Sequence, residues 1–287
     1  MGQVRVSLVE RSSNAVAVDP NMTTDSVSSP GKLRVDRLCA NLSFLFTEWP
    51  FLDRFGAAAE AGFTAVEFLF PYDHAPDVVA RAATDNGLEI ALFNAPPGDW
   101  AKGERGMAAL PGREDEFRQS MLTAIDYAKV LQVARLHVMA GIADPANPVA
   151  MDIYRRNLSV AAELAAPLGA HIMIEPINGH DMPGYFLNHF DTAADIVESS
   201  EGIGLQFDIY HCHRLHGDVL PRLRKLLPLT RHIQIAGVPA RHEPEAPALP
   251  LTEIFSCLDR NGYAGRVGCE YHPANGTLAG LGWIDTL

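Results

Sequence analysis

Four residues with oxygen-donor side chains, Glu175, Asp208, Gln234 and Glu270, each close a short apolar run in the C-terminal half of the chain. Their settings are Ile172-Met173-Ile174-Glu175-Pro176, Gln206-Phe207-Asp208-Ile209, His232-Ile233-Gln234-Ile235 and Val267-Gly268-Cys269-Glu270. Apolar runs bounded in this way read as buried strands whose last residues leave the core. A carboxylate at such a place costs desolvation energy unless a cation or hydrogen bonds compensate it. Taken singly, each of these side chains is at home in a salt bridge or a structural hydrogen bond. Three carboxylates converging on one mouth are different, because they repel and tend to stay protonated unless a cation shares the site. A hard divalent ion such as Mg²⁺ or Mn²⁺, which takes carboxylate and amide oxygens, meets that condition. Four successive strand ends carrying oxygen donors therefore favour a metal site.

Other polar residues fall where the same mouth would be. His211 stands three residues after Asp208 and could offer an imidazole to the metal or a hydrogen bond to substrate; the spacing leaves both open. Glu67, Asn94 and His137 stand near the ends of the second, third and fourth strands, where substrate contact and structural hydrogen bonding are both open to them. Arg241 lies in the loop beyond Gln234 and is suited to an anionic group on a substrate.

These residues need strands to position them, and the chain supplies eight apolar stretches, at 38–46, 65–70, 88–95, 133–141, 171–177, 203–211, 232–237 and 267–272. Between them lie amphipathic helix patterns, such as Phe117, Met121, Ala124, Ile125 and Ala128, or Tyr154, Leu158, Ala161, Ala165 and Leu168. Gly62, Gly87, Gly169 and Gly262 follow such patterns, as expected where a helix ends in a left-handed residue. Strands apolar on both faces and alternating with helices imply parallel pairing with right-handed crossovers. Eight such units close into a (β/α)8 TIM barrel, an α/β fold, with catalytic groups at the C-terminal strand ends. The alternative, an open doubly wound sheet, lacks its G-x-G-x-x-G signature after the first strand. The stretch 94–112, rich in Gly and Pro, reads as a loop over the barrel mouth.

Composition bounds the rest. The 287 residues are 47% hydrophobic and 20% charged, the balance of a globular protein with an ample core. One barrel at 34–287 uses nearly all of the length, preceded by a polar, Ser/Thr-rich segment at 1–33 that reads as a disordered extension. No apolar run is long enough to cross a bilayer. The formal net charge of -12 and the absence of a basic cluster argue against nucleic acid and anionic membranes as partners. The four cysteines, Cys39, Cys212, Cys257 and Cys269, form no C-x-x-C pair, which is the usage of a reducing, cytoplasmic compartment.

The segments Ala40-Asn41-Leu42-Ser43, Val66-Glu67-Phe68-Leu69-Phe70-Pro71-Tyr72, Leu92-Phe93-Asn94-Ala95-Pro96-Pro97-Gly98-Asp99-Trp100, Gly103-Glu104-Arg105-Gly106, Ile174-Glu175-Pro176-Ile177-Asn178, Asp181-Met182-Pro183-Gly184-Tyr185-Phe186-Leu187, Arg241-His242-Glu243-Pro244 and Gly268-Cys269-Glu270-Tyr271 resemble the hydroxypyruvate isomerase family. That family includes 2-oxo-tetronate isomerases and belongs to the xylose isomerase-like TIM barrels. The resemblance implies a divalent metal held by Glu175, Asp208, Gln234 and Glu270, with Glu175 and Glu270 as the acid/base pair. It implies that His211 and Arg241 orient the substrate. The implied reaction is an aldose-ketose type isomerisation of a short hydroxy-oxo acid, such as hydroxypyruvate to tartronate semialdehyde. The chain departs from the family pattern at Gly237, where an aspartate is usual, in the loop 245–250, and at Cys212-His213. Two other readings stay compatible with the sequence: a ketose 3-epimerase, which would take a longer uncharged sugar, and a catalytically silent binding protein on the same fold. An endonuclease on this barrel is disfavoured by the acidic charge and by too few His and Asp ligands for a multi-zinc cluster. A homo-oligomer is compatible with every one of these readings.

Overall fold

The computed structural model describes residues 37–245 and 248–286. The extension expected at 1–33 lies outside the described residues. Eight parallel strands close on themselves in chain order: β1 (Leu38–Asn41), β2 (Ala65–Phe68), β3 (Glu89–Asn94), β4 (Arg135–His137), β5 (His171–Ile174), β6 (Ile203–Asp208), β7 (Thr230–Ile235) and β8 (Val267–Cys269), with β8 pairing back onto β1. This is the TIM barrel that the alternation of patterns predicts.

Helices alternate with the strands around the outside: α1 (Arg54–Glu60), α2 (Pro76–Asp85), α3 (Glu114–Leu131), α4 (Pro148–Ala165), α5 (Phe190–Glu198), α6 (Ile209–His216), α7 (Val219–Leu226), α8 (Leu251–Arg260) and the short α9 (Thr277–Gly280). Their starts follow local rules. The Asn147 side chain accepts from Val149 N ahead of Pro148, and Asp218 accepts from Leu220 N to open α7. The apolar faces of these helices pack on the outer face of the barrel, where Phe55, Phe68, Phe93, Tyr154, Phe190, Phe207 and Phe255 are buried.

The strands are shorter than the apolar runs. The first run continues past Asn41 through Leu42, Leu45 and Phe46, all fully buried but in a turn, and the fourth continues past His137 through Val138, Met139 and Ala140. Hydrophobicity reports burial, and loops packed over a barrel rim are buried without being paired. The sixth run is cut at Asp208, whose carboxylate accepts from His211 N and so starts α6; His211 therefore sits in the first turn of a helix and not on a strand.

The barrel interior is polar toward one end. Glu67 of β2 receives bonds from His232 and Gln234 of β7, and since β2 and β7 are not neighbours these bonds cross the interior. Gly268 of β8 leaves the room this needs, because a Cβ there would overlap the Glu67 carboxylate. Gly268→Ala is expected to lower stability by about 1–3 kcal/mol, the range for overpacking a filled core. The measurement is the denaturant midpoint, with m unchanged.

Candidate active site

The register of the barrel brings the strand ends to one level. Asn41 pairs with Glu67, Asn94 with His137, and Asp208 with Gln234. Glu175 and Glu270 follow β5 and β8 directly. Glu67, His137, Glu175, Asp208, His211, Gln234 and Glu270 are all buried.

On one side of the mouth stand Glu175, Asp208 and two histidines. Glu175 Oε2 lies 3.7 Å from His137 Nε2, and Glu175 Oε1 lies 3.8 Å from His211 Nε2. Asp208 uses Oδ1 to accept from His211 N at 3.0 Å, while its Oδ2 is 4.0 Å from both His211 Nε2 and the Arg241 guanidinium. On the other side Glu270 Oε2 accepts from Asn41 Nδ2 at 2.9 Å and from Gln234 Nε2, and its Oε1 pairs with Arg241. Between Asn41 and β7 lies Glu67, which accepts from Asn41 Nδ2 at 3.0 Å and Gln234 Nε2 at 2.8 Å and meets His232 Nε2 at 2.6 Å.

Arg241 reaches the mouth from a tight loop after β7. Arg241 N donates to Gly237 O, Gly237 N donates to His242 O, and Arg241 itself has a left-handed φ of 58°. A Cβ at position 237 would overlap the Glu243 carbonyl, so this loop requires glycine where the resembled family has aspartate. The guanidinium lies over the rings of Phe44 and Tyr210, pairs with Asp181 at 3.5 Å as well as with Glu270, and its Nε has no partner.

The electrostatics show a shortage of positive charge. Burial, reinforced by Glu270 and Asp208, pushes the Glu175 carboxyl well above the usual carboxylate range. Burial also raises Asp208, against the pull of Arg241 and the His211 and Tyr210 N–H groups. Glu270 is pushed up to about 8 by burial, although Arg241 opposes the shift. Burial and Arg241 hold His211 well below its ordinary value, and burial together with His232 holds His137 at about 3. Both imidazoles are thus neutral, leaving Arg241 as the cation among three acids.

That deficit, together with two orphaned oxygens, fits a divalent cation. Glu175 Oε1 and Asp208 Oδ2 are buried without a hydrogen-bond partner. Glu175, Asp208 and His211 bring three ligand atoms within 4.8 Å of one another, the one such group of His, Cys, Asp or Glu among the described residues. Glu270 lies outside that group. Gln234 is arranged unlike an oxygen ligand: its Oε1 accepts from Gln206 Nε2 at 2.6 Å, and its N–H group faces Glu67 and Glu270. No side-chain hydrogen bond ties Asn94 to the cluster; its backbone carbonyl accepts from the Tyr72 hydroxyl. Asn41, Asn178, Gln206 and His232 were not among the residues that spacing singles out. Asn41 and Gln206 become visible only through strand register, because each sits beside or two residues before a carboxylate on the inward face.

Residues 55–287 match the model of the xylose isomerase-like TIM barrel. The chain belongs to that family. A 2-oxo-tetronate isomerase from Cupriavidus necator is 50% identical over 252 residues, covering 86% of this chain and 97% of the relative. The hydroxypyruvate isomerase of Escherichia coli is 39% identical over 254 residues, covering 87% and 98%. Relatives of this likeness and coverage make the chain an isomerase of the family. A crystal structure titled AP endonuclease, family 2, from Brucella melitensis superposes with a TM-score of 0.85 at 45% identity, covering 87% of this chain and 98% of that one. An L-ribulose 3-epimerase structure, at 19% identity and a TM-score of 0.68, shares the fold.

An acid whose pKa is raised on folding stabilises the folded state while protonated and loses that contribution as it ionises. For Glu270 the window runs from 4.5 up to about 8. Glu270→Gln should therefore remove part of the stability lost by the metal-free protein as pH rises across this range. The depressed histidines slope the other way below their ordinary value of 6.5, so the difference between the two unfolding-midpoint curves is the readout. Superimposable pH slopes in wild type and variant would show that Glu270 is not the raised acid.

Proposed function

We propose that this protein is a metal-dependent isomerase that interconverts a short hydroxy-oxo acid with its positional isomer. The substrate is hydroxypyruvate, giving tartronate semialdehyde, or a 2-oxo-tetronate, giving the 3-oxo-tetronate. The observation that carries the reading is the pair of buried, unpartnered carboxylate oxygens on Glu175 and Asp208 beside the fixed cation of Arg241. Curated relatives named for these two activities support the choice of substrate class.

The reaction moves one hydrogen from the hydroxyl-bearing carbon to the adjacent carbonyl carbon, with the hydroxyl and carbonyl exchanging places. Glu175, Asp208 and Glu270 would hold a Mg²⁺ or Mn²⁺ ion; the amide oxygen of Gln234 is engaged by Gln206 and would join them only if both amides turned over together. When bound, such an ion supplies polarisation of the substrate carbonyl and stabilisation of the charge that develops on it. Glu175 and Glu270 stand on opposite sides of the mouth, one taking the proton from carbon and the other returning a proton to the neighbouring carbon. Arg241, with an Nε that has no hydrogen-bond partner and the rings of Phe44 and Tyr210 against its guanidinium, holds the substrate carboxylate. His211 contributes a hydrogen bond to a substrate oxygen. Burial of the whole cluster excludes water, which strengthens each of these contacts.

Turnover of C3 and C4 oxo acids is expected in the presence of Mg²⁺ or Mn²⁺ and to disappear with chelator. Glu175→Gln and Glu270→Gln should each lower kcat by about 10²–10⁴, the usual contribution of a general acid or base. Near-normal rates in either variant would refute the two-carboxylate reading. Arg241→Ala should raise KM for the oxo acid by about tenfold to a hundredfold, the worth of a charge-assisted hydrogen bond, and leave an uncharged ketose unaffected. Preferential turnover of a neutral ketose would instead identify an epimerase.

A further inference from the structure

His211 is one of the three residues whose ligand atoms cluster at the mouth, which on distance alone makes it a candidate metal ligand. Its other ring nitrogen decides otherwise. Asn178, fully buried, places its Nδ2 at 2.7 Å from His211 Nδ1, and its backbone N lies 3.4 Å from the same atom. The orientation of this amide is fixed independently, since Asn178 Oδ1 accepts from His180 N at 3.0 Å and from Asp181 N at 3.1 Å. Reversing the amide would set an N–H group against two backbone N–H groups. Turning the imidazole over instead would put a C–H where Nδ1 stands and leave a buried Asn178 N–H without an acceptor.

We infer that Asn178 is a positioning residue that sets the tautomer of His211, so that His211 turns an Nε2–H donor and not a lone pair toward the carboxylates. Two N–H groups converge on Nδ1, so Nδ1 must accept and the proton of the neutral ring sits on Nε2. Nε2 lies 3.8 Å from Glu175 Oε1 and 4.0 Å from Asp208 Oδ2, too far to bond either. The donor is therefore left for an oxygen that enters between them. A donor cannot coordinate a cation, so His211 reads substrate and the metal is left to oxygen ligands. The tautomer follows from the hydrogen bonds alone; its consequence for turnover rests on the reaction proposed above.

The test is a long-range ¹H–¹⁵N correlation on the full-length protein carrying ¹⁵N-histidine, without metal and with Mg²⁺, the His211 signals being assigned by their loss in His211→Gln. The wild-type spectrum should show a protonated Nε2 and an unprotonated Nδ1 at position 211. Asn178→Asp keeps an oxygen for the His180 and Asp181 N–H groups but sets an acceptor against Nδ1, and should move the proton to Nδ1. In the same variant kcat on the oxo acid should fall by tenfold or more and KM should rise. The Mn²⁺ dissociation constant of His211→Gln should stay within about threefold of wild type. A wild-type ring protonated at Nδ1, a tautomer unmoved by Asn178→Asp, or a tenfold loss of Mn²⁺ affinity in His211→Gln overturns the inference. The wild-type spectrum decides the tautomer even if Asn178→Asp does not fold. A tautomer that switches as described in a protein inactive on every oxo acid would support this inference and overturn the proposed reaction.

Discussion

Burying acids without enough cations is the constraint on which the rest of this barrel depends. Glu175, Asp208 and Glu270 share a buried mouth with one guanidinium, and both histidines beside them are neutral. Interiors tolerate charge only when it is paired or hydrogen-bonded. Arg241 spreads its charge over Glu270, Asp208 and Asp181 and still leaves Glu175 Oε1 and Asp208 Oδ2 without a hydrogen bond. The arrangement is costly to folding in the absence of a second cation, and sites of chemistry are where such costs accumulate.

Amides keep the cost within bounds on the β8 side. Asn41 and Gln234 each donate to both Glu67 and Glu270, so two carboxylates are separated and satisfied by the same pair of side chains. His232 closes the chain at Glu67, and Gln206 fixes the Gln234 amide by donating to its oxygen. Each member restrains the next, which holds Glu270 Oε2 through strand residues, while Arg241 reaches Oε1 from its loop. The Asn178–His211 pair plays the corresponding part on the other side, where it fixes a proton and not a carboxylate.

The barrel was legible because its signal is periodic: eight apolar runs separated by helical patterns leave few alternatives. The run lengths were not, since Leu42, Phe46 and Val138 are as buried in loops as they would be in strands. Glu175, Asp208 and Glu270 could be found because carboxylates at the ends of apolar runs are conspicuous. Gln234 was found for the same reason, but its direction could not be, because a sequence names an amide without saying which of its two faces a neighbour such as Gln206 selects. Asn41, Gln206 and His232 are ordinary strand residues until register sets Asn41 beside Glu67 and Gln206 beside His232, whose ring reaches Glu67 across the interior. His211 looked like strand because Ile209 and Tyr210 continue the apolar run; the cap at Asp208 turns the chain there.

Asp208 spends one oxygen on the N–H of His211 and presents the other to the mouth. The acid and the imidazole are thereby welded into a single piece of backbone, and neither can be repositioned by drift without the other. Arg241 is mounted differently, on a loop after β7 that folds back over Gly237 and whose Arg241 carbonyl accepts from His272 N. The cap and the loop are therefore separate mountings: a side chain at position 237 would collide with the loop that carries the guanidinium while leaving the bond between Asp208 and His211 untouched.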